Sequence, residues 1–307
     1  MDNRRLFLAI LLSLAVLMLW FYLFPAPPAL PGKGGPETAA PSIPAGSPAP
    51  ATPPLAAKPA APESAKPSAP REDIAAAVEE RVVLESSGAT AVFTNRGAQL
   101  TSLQLKGSKT TGGTPLELVR ARQERLYPYG LTAGGLKPHP LNGALFRVEK
   151  GGDGRSATFR YSGPLGVAEK TFRFDARGLL EFEVGVEQPG WGLMFGPGIR
   201  NPTEAELKNR FEHRGVVYRE GESVETLDPQ KEESVKVLPR SVRWVGIDDL
   251  YFLSAVIPEE GVGRVMALPV LVRPGEGGET FQPLPPKDQL TKEQGDLSRE
   301  LAVVLEP

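Results

Sequence analysis

The stretch VAEKTFRFDARGLLEFEVGVE (167–187) decides the fold class. Phe172 and Phe174 alternate with polar neighbours, Phe182, Val184 and Val186 do the same, and Ala176-Arg177-Gly178 separates the two runs. A period of two gives each run one apolar face, and two such runs joined by a short glycine-containing connection signal a β-hairpin. The pattern continues outward in both directions. Upstream stand RVVLE (81–85), ATAVFTN (89–95), QLTSLQL (99–105), LFRVE (145–149) and ATFRYS (157–162). Downstream stand VVYRE (216–220), SVETL (223–227), SVKVL (234–238), VRWVGI (242–247), LYFLSAVI (250–257), GRVMALPV (263–270) and LSRELAVVLE (297–306). Many short strands with turn residues at fairly even spacing predict a mainly β fold, a large antiparallel β-sandwich. One short helix interrupts them, EAELKNRF, where Thr203 and Glu206 have capping-box spacing. PGEGGETFQPLPPKDQLTKEQGD (274–296) reads as a long loop or hairpin with room for a second helical turn. The β-rich domain is placed at residues 79–307.

The N-terminal quarter differs in kind. LFLAILLSLAVLMLWFYLF (6–24) carries no charge and, as a helix rising about 1.5 Å per residue, would cross roughly 28 Å. It is predicted to be a single transmembrane helix. Arg4 and Arg5 precede it and the next basic residue is Lys33, so residues 1–5 are expected in the cytoplasm and the β-domain in the periplasm. A cleaved signal peptide is the competing reading. Its apolar region is usually about 7–15 residues long and ends at small residues, whereas here the run is longer and meets Pro25, Pro27 and Pro28. Residues 25–78 form a Pro/Ala-rich linker, in which frequent prolines remove helical donors and leave too little apolar surface to offset ordering entropy. It is expected to be a disordered tether. REDIAAAVEE (71–80), at its end, reads as one or two helical turns or as more tether.

Composition excludes several chemistries. With a net charge of −2, the chain lacks the basic excess of a nucleic-acid binder. Having no cysteine, it has no disulfide, thiolate nucleophile or Cys-ligated metal. The two histidines, His139 between Pro138 and Pro140 and His213 in Phe211-Glu212-His213-Arg214, are not brought together by any motif. HExxH, GxSxG, P-loop and EF-hand spacings do not occur. Asp248-Asp249 are strand neighbours facing opposite ways, suited to shaping a turn between Trp244 and Tyr251. GWGLMFGPG (190–198) suits a core strand ending in a turn, with a sugar platform on Trp191 as its alternative. No catalytic, cofactor-binding or metal-ligating residue is assigned, no cofactor is expected, and the chain is read as a non-enzyme.

SVRWVGIDDLYFLSAVIP (241–258) is more specific. Its tryptophan, acidic turn, Tyr-Phe pair and apolar run closing on Ile-Pro resemble the periplasmic domain of the bacterial membrane protein insertase YidC family. MDNRRLFLAILLSLAVLMLWFYLFP at the start and VFTNRGAQLTSLQL (92–105) are similar to the same family, in the same order. The resemblance implies a periplasmic supersandwich with galactose-mutarotase-like architecture. It also implies a role in inserting and folding integral membrane proteins, alone or with the Sec translocon and its accessory subunits. The implied partners are nascent membrane proteins, that translocon and the inner-membrane bilayer, with no nucleic acid. In the family, further spans holding a hydrophilic groove with a positive residue follow the periplasmic domain. This chain ends at Leu305-Glu306-Pro307, where that bundle is expected to begin, so no groove residue carries over. The expectation is an N-terminal portion acting as anchor and periplasmic interaction domain. The alternative is a membrane-tethered carbohydrate-binding or mutarotase-like protein, which needs a polar cleft with paired histidines and a carboxylate.

Overall fold

A computed structural model describes residues 73–307 apart from 111, 124–125, 201–214, 250 and 260–261. The expected membrane helix, most of the tether, the helix after Thr203 and His213 all lie outside the described residues. Among the described residues no helix is long and apolar enough to cross a membrane.

The chain opens with β1 (Arg81–Glu85), β2 (Ala89–Thr94), β3 (Gln99–Lys109) and β4 (Pro115–Glu117), paired antiparallel in that order. After β5 (Leu131–Thr132) comes a four-stranded meander: β6 (Arg147–Lys150), β7 (Ser156–Gly163), β8 (Gly166–Phe174) and β9 (Leu180–Val186). The hairpin read from residues 167–187 is β8–β9, with Phe172 opposite Phe182. Next come β10 (Gly192–Phe195), β11 (Gly215–Glu220), β12 (Ser223–Leu227), β13 (Lys236–Val237), β14 (Val242–Asp248) and β15 (Leu253–Val256). Last are β16 (Arg264–Arg273), β17 (Thr280–Pro283), the short helix α1 (Lys292–Gly295) and β18 (Ser298–Glu306). A third sheet has the order β12-β11-β14-β15. The fourth runs β13-β16-β18-β10-β5, with β17 also on β16. The fold is mainly β, built of sandwich-like sheets, as the alternation predicts.

Side-chain parity places the core. On β16 and β18, Val265, Ala267, Leu301, Val303 and Leu305 enter the main apolar cluster, together with Phe93, Phe159 and Phe172 from the first two sheets. The alternate residues Met266, Leu268, Val270, Ala302 and Val304 form a second cluster, closed by Leu126, Leu136 and Phe281. These two strands are therefore buried on both faces, which is why they read as continuous apolar runs and not as alternation. At the centre, the Phe93 and Phe172 rings lie 4.3 Å apart, and Tyr129 meets Phe172, Phe182 and Phe195 edge-on at 5.0–5.1 Å.

Three local expectations are corrected. Residues 73–80 form no helical turn. Ile74 exchanges backbone hydrogen bonds of 2.8 Å with Ser162, and the Ala76 amide donates to the Leu145 carbonyl at 2.9 Å, so the chain is tied to the sandwich before the boundary expected at 79. Asn95, fully buried, secures the same segment. Its Oδ1 accepts from the Glu80 amide at 2.8 Å, and its Nδ2 donates to the Val78 and Phe146 carbonyls at 3.1 Å. Asn95→Ala would strand all three groups and should cost about 2 kcal/mol, read by urea unfolding, with faster amide exchange at Glu80. The other two corrections concern length. Of SVKVL the strand covers Lys236–Val237, with the Leu238 amide adding one hydrogen bond to the Val265 carbonyl at 2.9 Å, and among the described residues of LYFLSAVI it covers Leu253–Val256.

Candidate interaction surface

Lys170 lies on the inward parity of β8 with Ala168 and Phe172, and its side chain is completely buried. Its Nζ donates to the carbonyls of Gly97 and Tyr129, both at 2.7 Å, and of Ala98 at 3.3 Å. All three residues have positive φ, +69° at Gly97, +48° at Ala98 and +65° at Tyr129. Left-handed backbone at Ala98 and Tyr129 is costly for residues with a Cβ; the ammonium bridges these carbonyls and binds two loops to the meander. Gly97 tolerates no side chain, since a Cβ would stand 2.7 Å from the Asn142 Cα. Burial lowers the Lys170 pKa to about 7. Three acceptors match the three donors of the charged form.

A second buried ionic group joins distant strands. Arg120 Nη1 donates to Glu300 Oε1 at 2.7 Å and to Glu279 Oε2 at 3.2 Å, and its Nε donates to the Arg200 carbonyl at 2.9 Å. Arg122 lies 5.1 Å over the Phe281 ring and 3.7 Å from Glu279. Burial, then the neighbouring Arg120 charge, lowers the Arg122 pKa to about 10, still a cation at neutral pH. For Arg120, burial pulls the pKa down but the Glu300 and Glu279 carboxylates outweigh it, so it is raised. Gly198 permits this packing: a Cβ there would lie 2.4 Å from the Arg120 guanidinium carbon. Arg120, Gly198, Asp248, Asp249 and Glu300 line a cavity with about 20 Å³ open to the centre of a water molecule. That is room for one water.

The residues singled out in the sequence do not converge on chemistry. His139 caps the 3-10 turn Pro140–Gly143, its Nδ1 accepting from the Leu141 amide at 3.2 Å. Burial, then the Lys170 charge, holds its pKa below the usual imidazole value. Asp249 Oδ1 accepts the Tyr251 and Phe252 amides at 3.0 and 3.1 Å, while its Oδ2 pairs with Arg200 at 3.0 Å. Asp249 therefore shapes a turn, whereas Asp248 ends β14 and accepts from the Gly215 amide at 3.1 Å. Trp191 packs half-buried against the main core, next to the core strand β10.

What faces solvent instead is apolar. Leu253 in β15 is 52% exposed, Tyr251 and Ile257 on either side of that strand are 66% and 67% exposed, and Val224 on the far edge of the third sheet is 58% exposed. β15 ends that sheet, and among the described residues no strand pairs with its outer side. Sequence reading found this strand but not its openness, because its uncharged run reads equally well as a core strand.

These features define a β-sandwich module with buried ionic staples and, among the described residues, an uncharged open edge at β15. The sequence profile of the YidC periplasmic domain matches residues 81–268. The chain belongs to that family. It is 31% identical over 287 residues to a membrane protein insertase YidC of Anaeromyxobacter sp. (strain Fw109-5), covering 86% of this chain and 50% of the relative. It is 33% identical over 289 residues to that of Anaeromyxobacter dehalogenans (strain 2CP-C), covering 85% and 49%. The insertase of Syntrophus aciditrophicus (strain SB) is 26% identical over 289 residues, with 84% and 51% covered. The chain spans about half the length of these curated relatives. Among solved structures, a galactose mutarotase-like protein from Lactobacillus casei matches with a TM-score of 0.37 and 12% identity, covering 74% of this chain and 87% of that one.

Proposed function

We propose that this chain is the anchor and periplasmic interaction portion of a YidC-type insertase, aiding insertion and folding of integral membrane proteins at the bacterial inner membrane. The profile match over residues 81–268 carries the reading. Residues 6–24 supply the span, Arg4 and Arg5 keep the N-terminus cytoplasmic, and residues 25–72 supply the tether. Nascent membrane proteins are its clients, which it aids alone or with the Sec translocon and its accessory subunits. The chain performs this role without catalysis. The carbohydrate-binding or mutarotase-like alternative has less support, since it needs paired histidines beside a carboxylate and His139 is engaged as a cap.

The reading is tested by photo-crosslinking from Val224 and Tyr251 in the full-length chain, in membranes carrying ribosome-stalled membrane-protein chains. Adducts to the stalled chains or to Sec subunits are expected. Adducts confined to soluble periplasmic proteins would overturn the reading.

A further inference from the structure

We propose that the outer edge of β15 is a strand-addition site that captures an extended, uncharged segment of another polypeptide. Edge strands in soluble proteins are normally guarded by charge, proline or bulges, because a free ladder invites pairing. In this domain the other described edges of three or more residues are guarded. β1 carries Arg81 and Glu85, β4 Pro115 and Glu117, and β6 Arg147, Glu149 and Lys150. β9 carries Glu181 and Glu183, β12 Glu225 and β17 Pro283. β15, Leu-Ser-Ala-Val, carries none.

Its hydrogen-bonding groups can be assigned by alternation. The Phe252 carbonyl accepts from the Asp249 amide at 2.9 Å and so points toward the β14 side. The register Ile247↔Ser254 and Val245↔Val256 continues that direction. Leu253, Ala255 and Ile257 therefore turn their N–H and C=O groups to the open side. Pro258 falls on the β14 parity, so its missing N–H does not interrupt the open ladder. The same three outward residues set an apolar row on the solvent face, where Leu253 covers Gly246: a Cβ there would stand 2.7 Å from Leu253 Cδ1. An incoming strand thus meets backbone donors and acceptors along its length and aliphatic contacts at alternate positions, the combination that strand addition uses.

Charge and area select the occupant. No charged residue lies on the strand, so a charged segment would lose hydration without gaining a partner. An edge of this length falls short of the roughly 800 Å² per partner of a standard stable interface, which disfavours a pair of copies and suits a single added segment. The proposal deepens the insertase reading by naming how the outer domain would hold a client passing in extended form.

The test uses the full chain in detergent micelles and a fluorescent Thr/Val-alternating octapeptide. Binding is followed by anisotropy, and amide exchange over residues 251–258 by mass spectrometry. The peptide should bind and slow exchange over 253–257. Ala255→Lys should weaken binding at least tenfold, and Leu179→Lys, at the exposed turn between β8 and β9, should leave it unchanged. The same peptide N-methylated along its backbone should fail to bind the unaltered chain, which decides the matter even where Ala255→Lys does not fold. Equal binding of the methylated peptide, protection elsewhere, or protection that grows with chain concentration without peptide would overturn the proposal; the last would make a second copy the occupant. Peptide capture with no effect of the chain on membrane insertion would instead count against the insertase reading alone.

Discussion

Lys170→Met should destabilise the domain by about 3–5 kcal/mol. Methionine fills most of the space but leaves the Gly97 and Tyr129 carbonyls, each now 2.7 Å from Nζ, buried without a donor. Ala98 and Tyr129 would keep their left-handed backbone with nothing to hold it. The loss has a pH signature. Burial lowers the folded pKa to about 7, whereas an unfolded lysine titrates near 10.4. Between those values the unfolded chain binds more protons, so stability contributed by this group rises with pH. Urea unfolding should therefore show the gap between the native chain and Lys170→Met widening from about pH 7 to pH 10 and level below 7. A gap that stays level from pH 7 to pH 10 would mean that the ammonium is retained in the folded chain over that range.

Arg120→Met should cost a similar amount, about 3–5 kcal/mol. It removes the cation that neutralises Glu300 and Glu279, whose side chains are only 9% and 19% exposed. Glu300→Leu in the same chain should recover much of the loss, because an apolar pair needs no compensating charge. Unfolding of both variants decides it: a single-variant loss below about 1 kcal/mol would show the network to be solvated.

How much of this was legible depends on the range of the interactions. β1 and β12 have the bounds read from sequence, because alternation and turn residues are local signals. β5 and β4 were missed, being too short to show a period, and they are strands only through their pairing with β10 and β3. LYFLSAVI shortened because Asp249 takes the Tyr251 and Phe252 amides into a turn before pairing begins. Lys170 did leave a signal, a lysine in the apolar register of Ala168, Phe172 and Phe174, which the alternation of the phenylalanines overshadowed. Arg120 and Glu300 left none: they are 180 positions apart, and only the closed sandwich brings them together. The uncharged edge was visible as composition, but its exposure is a property of sheet order.

The most direct measurement is insertion of a single-span reporter protein into the inner membrane of the source bacterium when this chain is depleted. The account predicts that the reporter accumulates uninserted and that re-expression restores insertion. Normal insertion after complete depletion, with the reporter's periplasmic segment fully exposed to protease, would contradict it.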